Sequence, residues 1–368
     1  MGNRLNLLAV VMVCMSLTAS SLFAAPTPRL RIIATTFPLY DWTRQILGRQ
    51  FDAVELVQLQ DNGVDLHNFQ PTVRDIACVS NCDLFLYVGG ESDEWVEKAL
   101  RSPRNPRRIA LNLIKELGDA VQEEEPLEGM DEHEHHHEHG EHHHDEKGKH
   151  ANEHGEHHDH GEHHHDEKGK HAHEHGEHHD HDEDEHEVDE HVGLSLRCAA
   201  SLCKAIAARL AELDKEHGAE YQANCRAYVE KLGALDRRYK EVVAGSPLKT
   251  LVFADRFPFR YMAKDYGLTC FAAFSGCSAE TEASFKTIAF LAGKVDECKL
   301  PVVLVLEDRQ HKIAETVVRT AKNKKVGIMP MDSLQATTSR DITRGKSYLN
   351  AMEKNLSVLK TALGNVDY

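Results

Sequence analysis

Eight short apolar runs alternate along the chain with longer stretches in which apolar residues recur every three or four positions. The runs fall at 30–35, 53–59, 84–88 and 108–111, then again at 250–253, 269–271, 302–306 and 326–330. Several are continuous, such as LFLYV at 84–88 and VVLVL at 302–306. That pattern suits strands covered on both faces, as in a parallel sheet. Strands separated by helices of about 10–20 residues predict an α/β fold with right-handed crossovers.

The two strand groups are joined by a helical region. Tyr221, Cys225, Tyr228, Leu232, Leu235, Tyr239 and Val242 recur in alternating steps of four and three, one apolar stripe on a helix of about six turns. Gly245, Ser246 and Pro247 then supply stop signals. With one strand group on each side, this helix reads as a rigid connector between two doubly wound lobes. The expected organisation is a signal peptide over 1–25, an N-terminal α/β lobe over 26–215, a connecting helix over 216–246 and a C-terminal α/β lobe over 247–368.

Residues 122–190 break the pattern and also distort the composition. The 368-residue chain has a formal charge of −17, yet residues 123–191 alone carry 27 Asp and Glu against 4 Lys. The remaining residues are close to neutral, with a small, dispersed basic excess that argues against a nucleic-acid partner. Twenty-three of the 27 histidines lie between His133 and His186. A 21-residue unit at 140–160 repeats at 161–181 with one difference, Asn152 against His173. With no apolar residues to stack, the expectation is a disordered, solvated insert in the first lobe that collects metal ions weakly and multivalently. The string HEHHH at 133–137 matches the HExxH zinc-protease word, but it lacks the amphipathic helix that motif needs.

The first 25 residues have a basic residue at Arg4, an apolar run from Leu7 to Leu17 and then small residues before Pro26. This is the pattern of a secretory signal. Val11, Met12 and Val13 ahead of Cys14 do not make a lipid-attachment box, and no later run approaches the length of a membrane span. A soluble, exported protein, periplasmic or otherwise extracytoplasmic, is therefore expected. Eight further cysteines (78, 82, 198, 203, 225, 270, 277 and 298) permit disulfides whose pairing the sequence leaves open, and none forms a CxxC pair.

Outside the tract, the histidines are His67, His191, His217 and His311. His67 sits in GVDLHNFQPT at 63–72, after a strand and before a helix, where open α/β sheets place ligand sites. His191 sits in DEHVGLS at 189–195, and His217 reads as a surface residue between helices. The order of DLHNFQPT, CDLFLYVGG, a His-rich insert, DEHVGLS and a long helix resembles the cluster A-I metal-specific solute-binding proteins of ABC importers, especially the zinc-binding subgroup. The resemblance runs from about Arg31 to the C-terminus. Its most specific words are DLHNFQPT, against a DPHxYxPT pattern, and DEHVGLS, against DPHxWLS.

That resemblance implies two lobes with a cleft that holds one metal ion. By motif position His67 and His191 are the first-lobe ligands. In the second lobe the family word HxAFxY…YGL becomes ADRFPFRY at 254–261, followed by YGL at 266–268. Arg256 stands at the ligand position, and a guanidinium has no lone pair to donate, which leaves Asp255 as the neighbouring candidate. The family's last ligand follows a strand ending in VE, which points to His311, with Glu307 as an oxygen alternative. Two or three imidazoles with one or two carboxylates suit Zn²⁺ better than Mn²⁺, which prefers oxygen. Asp65, Asp189 and Glu190 are the candidates to accept the imidazoles' other N–H groups.

The implied function is capture without turnover: an importer's binding component, expected as a monomer, takes up Zn²⁺ and delivers it to a membrane permease. Two other readings remain at this point. One is a metal buffer or sensor whose working part is the histidine tract. The other is a manganese-type member of the same family.

Overall fold

The computed structural model describes residues 30–365, except 64, 102–103, 131–186, 277–281 and 308–310. All eight expected strands form, in two four-stranded sheets whose pairings are parallel. The first contains β1 (Arg31–Ala34), β2 (Glu55–Gln58), β3 (Leu84–Tyr87) and β4 (Ile109–Asn112), in the order β2-β1-β3-β4. The second contains β5 (Thr250–Phe257), β6 (Thr269–Ser275), β7 (Val302–Leu306) and β8 (Gly327–Met331), in the order β6-β5-β7-β8. In each lobe the first strand lies inside the sheet, with the second strand on one side and the third on the other. The continuous apolar runs are the inner strands: all five residues of β7 are buried, as are Leu84, Phe85 and Leu86 of β3.

Helices cover both sheets. Those of the first lobe are α1 (Phe37–Leu47), α2 (Val73–Asn81), α3 (Glu94–Leu100) and α4 (Leu113–Leu117). After the insert come α5 (Leu196–Leu213) and the long α6 (Gly218–Gly245). The second lobe adds α7 (Arg260–Tyr266), α8 (Phe285–Glu297), α9 (Lys312–Thr320), α10 (Ser339–Thr343) and α11 (Tyr348–Ala362). The stripe read from sequence is the buried face of α6, although its last buried member is Val243 rather than Val242.

One apolar core runs through both lobes, bringing Ile32, Trp42 and Leu84 into the same cluster as Leu251, Phe253 and Leu304. The C-terminal helix α11 ties the lobes further. The Tyr348 ring meets Trp42 of α1 edge-on at 5.2 Å, its backbone N–H donates to Asp41 at 2.9 Å, and its hydroxyl donates to the Gly193 carbonyl at 2.8 Å.

Two local departures from the sequence reading bear on the site. Strand β5 continues four residues beyond the apolar run 250–253, through Asp255 and Arg256, with a register irregularity between Phe253 and Arg256. Charged residues end a hydrophobic reading, but here they cap the strand at the cleft. The insert's two ends are also ordered, where a single disordered loop over 122–190 was expected. Glu123 bridges Val188 antiparallel, Glu124 N–H donates to the Glu187 carbonyl at 2.7 Å, and Asp189 N–H donates to the Gln122 carbonyl at 2.8 Å. Backbone pairing supplies there what apolar burial does not. The repeats themselves, and with them the expected metal-collecting tract, lie outside the described residues.

The described cysteines, 78, 82, 198, 203, 225, 270 and 298, are free thiols. Among the described residues no helix is long and apolar enough to cross a membrane.

Candidate metal centre

The two histidines singled out by their sequence words lie 124 residues apart in the chain and meet in space. After β2 the chain turns through a single 3₁₀ turn, Leu66–Asn68, capped by Asp65, whose carboxylate accepts the His67 N–H at 3.1 Å. Thr72 and Asp75 then form a reciprocal capping box that starts α2, so both ends of the His67 segment are fixed. His191 precedes a second 3₁₀ turn, Val192–Leu194. Ser195 follows as the cap of α5, accepting from Cys198 N–H and donating to Asp265 of α7 at 2.6 Å.

The Nε2 atoms of His67 and His191 are 3.2 Å apart, with ring centroids at 5.1 Å. Their Nδ1 atoms point the other way, each to its own partner. His191 Nδ1 lies 3.0 Å from Asp189 Oδ1, and His67 Nδ1 lies 2.8 Å from Ser92 Oγ. An imidazole that donates its Nδ1–H presents the Nε2 lone pair, the form that binds a metal. Two lone pairs converging at this distance repel unless a proton or a cation lies between them.

The surroundings hold the two rings in different electrostatic states. Burial and the neighbouring His191 push the His67 pKa down to about 4, so His67 is neutral at pH 7. Burial opposes charge on His191 too, but the Asp189 carboxylate outweighs it and raises the pKa. Glu190 Oε1 accepts the Ser92 N–H at 2.9 Å while Oε2 stands 3.6 Å from His67 Nδ1. Burial pushes Glu190 up to about 7. Pro38, Trp42, Leu66, Leu113, Val192 and Leu334 line a mostly apolar pocket that His191 borders.

The second lobe closes on this pair by backbone and by charge. Gly276, at the end of β6, packs so tightly that an added Cβ would lie 2.9 Å from the His191 ring and 3.0 Å from the Phe257 carbonyl. Tyr261 of α7 donates its hydroxyl to the Asp189 carbonyl at 2.8 Å, and Arg260 approaches Asp189 Oδ2 at 3.5 Å. Arg256 reaches from β5 into the first lobe, donating to Asp65 Oδ2 at 2.5 Å with both side chains buried.

Of the remaining sequence candidates, Asp255 and Glu307 carry hydrogen bonds of their own and His311 does not. Asp255 accepts from the N–H groups of Arg256 and Leu306. Glu307 accepts from the N–H and hydroxyl of Ser333 at 2.9 and 2.6 Å, and burial raises its pKa. His311 precedes α9 with a buried, unpartnered Nδ1. Asp189 accepts the imidazole N–H as anticipated, whereas Asp65 accepts a backbone N–H. Sequence reasoning missed Ser92, Gly276 and Tyr261. Only the GGESD turn after LFLYV, with Gly89 and Gly90 at φ of +92° and +80°, hinted that the backbone folds tightly beside the site.

Comparison with known proteins matches residues 32–362 to the ZnuA family, described as zinc-uptake complex component A, periplasmic. The chain is 28% identical over 357 residues to the zinc-binding lipoprotein AdcA of Streptococcus pneumoniae, covering 97% of this chain but spanning only 60% of that relative's length. It is 26% identical over 335 residues to the high-affinity zinc uptake system protein ZnuA of Bacillus subtilis, covering 91% of this chain and 88% of the relative. Among solved structures, the Zn(II)-bound ZnuA-like domain of S. pneumoniae AdcA superposes with a TM-score of 0.62 at 24% identity, covering 91% and 99% of the two chains. The metal-dependent lipoprotein YcdH of B. subtilis superposes with a TM-score of 0.65 at 23% identity, covering 92% and 100%. At those identities the superpositions establish the two-lobed α/β fold.

Proposed function

Because the chain belongs to the family of periplasmic zinc-uptake component A, we infer that it captures Zn²⁺ outside the cytoplasm and hands it to an ABC-type membrane permease. The observation that carries this reading is the convergence of the His67 and His191 Nε2 atoms at 3.2 Å, each ring held from behind through Nδ1. Two imidazole nitrogens facing one point suit a borderline-soft cation such as zinc better than manganese, which prefers oxygen donors. Nothing in the arrangement needs to turn over a substrate: the two rings hold an ion, and transport requires only that it be held and released. The 23 histidines of the insert add weak, multivalent binding that raises the local metal supply.

Competitive calorimetry of Zn²⁺ against Mn²⁺ on the full chain, beside His67→Ala, tests this. One tight zinc site that excludes manganese and disappears in His67→Ala is expected, over a background of weak sites. A tight site that ignores the substitution would instead make the tract the working part, as in a metal buffer or sensor.

A further inference from the structure

The two histidines supply two donors, and a zinc ion needs about four. With Zn–N and Zn–O bonds near 2.0–2.2 Å, the edge of a tetrahedral centre is about 3.3–3.6 Å. The observed Nε2–Nε2 separation of 3.2 Å is just short of such an edge. Among the described residues no group of three or more His, Cys, Asp or Glu side chains is placed so that it could hold a metal ion. One carboxylate oxygen is nonetheless on the correct side: Asp65 Oδ1 lies 3.9 Å from His67 Nε2, about half an ångström beyond an edge. Glu190, the other buried carboxylate beside His67, faces Nδ1 and is therefore behind the ring.

We propose that Asp65 is a third metal ligand, and that Arg256 positions it from the opposite lobe. This rests on the reading of His67 and His191 as ligands. Asp65 is 2% exposed, and its oxygens are divided between two tasks. Oδ2 accepts the Arg256 guanidinium at 2.5 Å, while Oδ1 accepts the His67 backbone N–H at 3.1 Å and lies 3.9 Å from His67 Nε2, with lone-pair capacity to spare.

Arg256 thereby acquires a function that a guanidinium can perform. It cannot ligate, but as the outer partner of a ligating carboxylate it fixes that oxygen's direction. The second lobe then reaches the metal through a buried ion pair rather than through a donor atom at this position. Two nitrogens and one carboxylate oxygen from the first lobe are a zinc-type donor set.

The full chain with one equivalent of Co²⁺, a coloured stand-in for zinc, tests the assignment alongside zinc titration against a chromogenic chelator. Circular dichroism first establishes that each variant folds. Asp65→Asn is expected to weaken zinc binding by about 100-fold or more and to shift the cobalt visible bands, because a ligand has changed. Arg256→Gln is expected to weaken binding by about 10-fold while leaving the bands in place, because it only positions the ligand.

Unchanged bands and zinc affinity within about twofold in Asp65→Asn, with both lost in His67→Ala, would overturn the assignment of Asp65 while the histidines stand. Tight zinc binding that survives His67→Ala would overturn the reading beneath it. Should Asp65→Asn fail to fold, zinc X-ray absorption on the unaltered chain decides. Two imidazoles with oxygen completing the shell support the assignment, and three or more imidazoles overturn it.

Discussion

Burial decides the charge of individual side chains around the centre, and Asp93 shows this without the complication of a metal. Its Oδ2 accepts the Gly89 N–H at 2.9 Å, its Oδ1 has no partner, and burial raises its pKa to about 6. The neighbouring Glu190 is also raised, chiefly by burial. A folded pKa above the unfolded value of about 3.9 means the native state binds the proton more tightly. The resulting stabilisation is complete below about pH 4 and is lost as pH rises through 6. The loss amounts to about 3 kcal/mol. Asp93→Asn cannot ionise and escapes this loss, so its stability relative to the wild type should rise between pH 4 and pH 7. Urea denaturation at both pH values checks it, and an offset independent of pH would contradict the account.

At the scale of elements, α6 does more than link two strand groups. Its buried face includes Leu232, Leu235 and Tyr239, and the helix packs against α1, α5 and α11. Tyr239 additionally donates its hydroxyl to the Met352 carbonyl of α11 at 2.6 Å. Leu232 is fully buried, and Leu232→Ala leaves a cavity where both lobes share a wall. A loss of about 2–5 kcal/mol is expected in a single cooperative transition, with the denaturant slope unchanged. Two separated transitions in the variant would show that the lobes unfold independently and that the helix is only a tether.

The molecule as a whole carries its core across the cleft. Trp42 against Tyr348, Asp41 under the start of α11, and the buried Arg256–Asp65 pair each join one lobe to the other. Hinged closure requires a few residues that absorb a backbone rotation between otherwise separate bodies. Here such a rotation would have to part a shared apolar cluster. Zinc should therefore leave the overall envelope nearly unchanged, and small-angle scattering profiles with and without the ion should superpose. A clear compaction on adding zinc would contradict that expectation.

The chain's own pattern determined the architecture. Runs such as VVLVL and LFLYV, short, continuous and rich in β-branched or aromatic residues, suit buried parallel strands, and the 4-3 stripe from Tyr221 has the period of a helix. His67 and His191 are singled out by the resemblance of their words, DLHNFQPT and DEHVGLS, to the family pattern, with only the place of His67 after a strand as local support. What no local pattern contains is distance across the chain. That Nε2 of residue 67 meets Nε2 of residue 191, that Ser92 and Asp189 hold the rings from behind, and that Gly276 makes room for an imidazole follow from how the helices stack the two sheets. Arg256 is the clearest case. By sequence it is a cation standing where a ligand was expected, and only the packing of β5 against the Asp65 turn gives its charge a partner. Hydrophobic periodicity is a property of neighbours in sequence, whereas a metal centre is a property of neighbours in space.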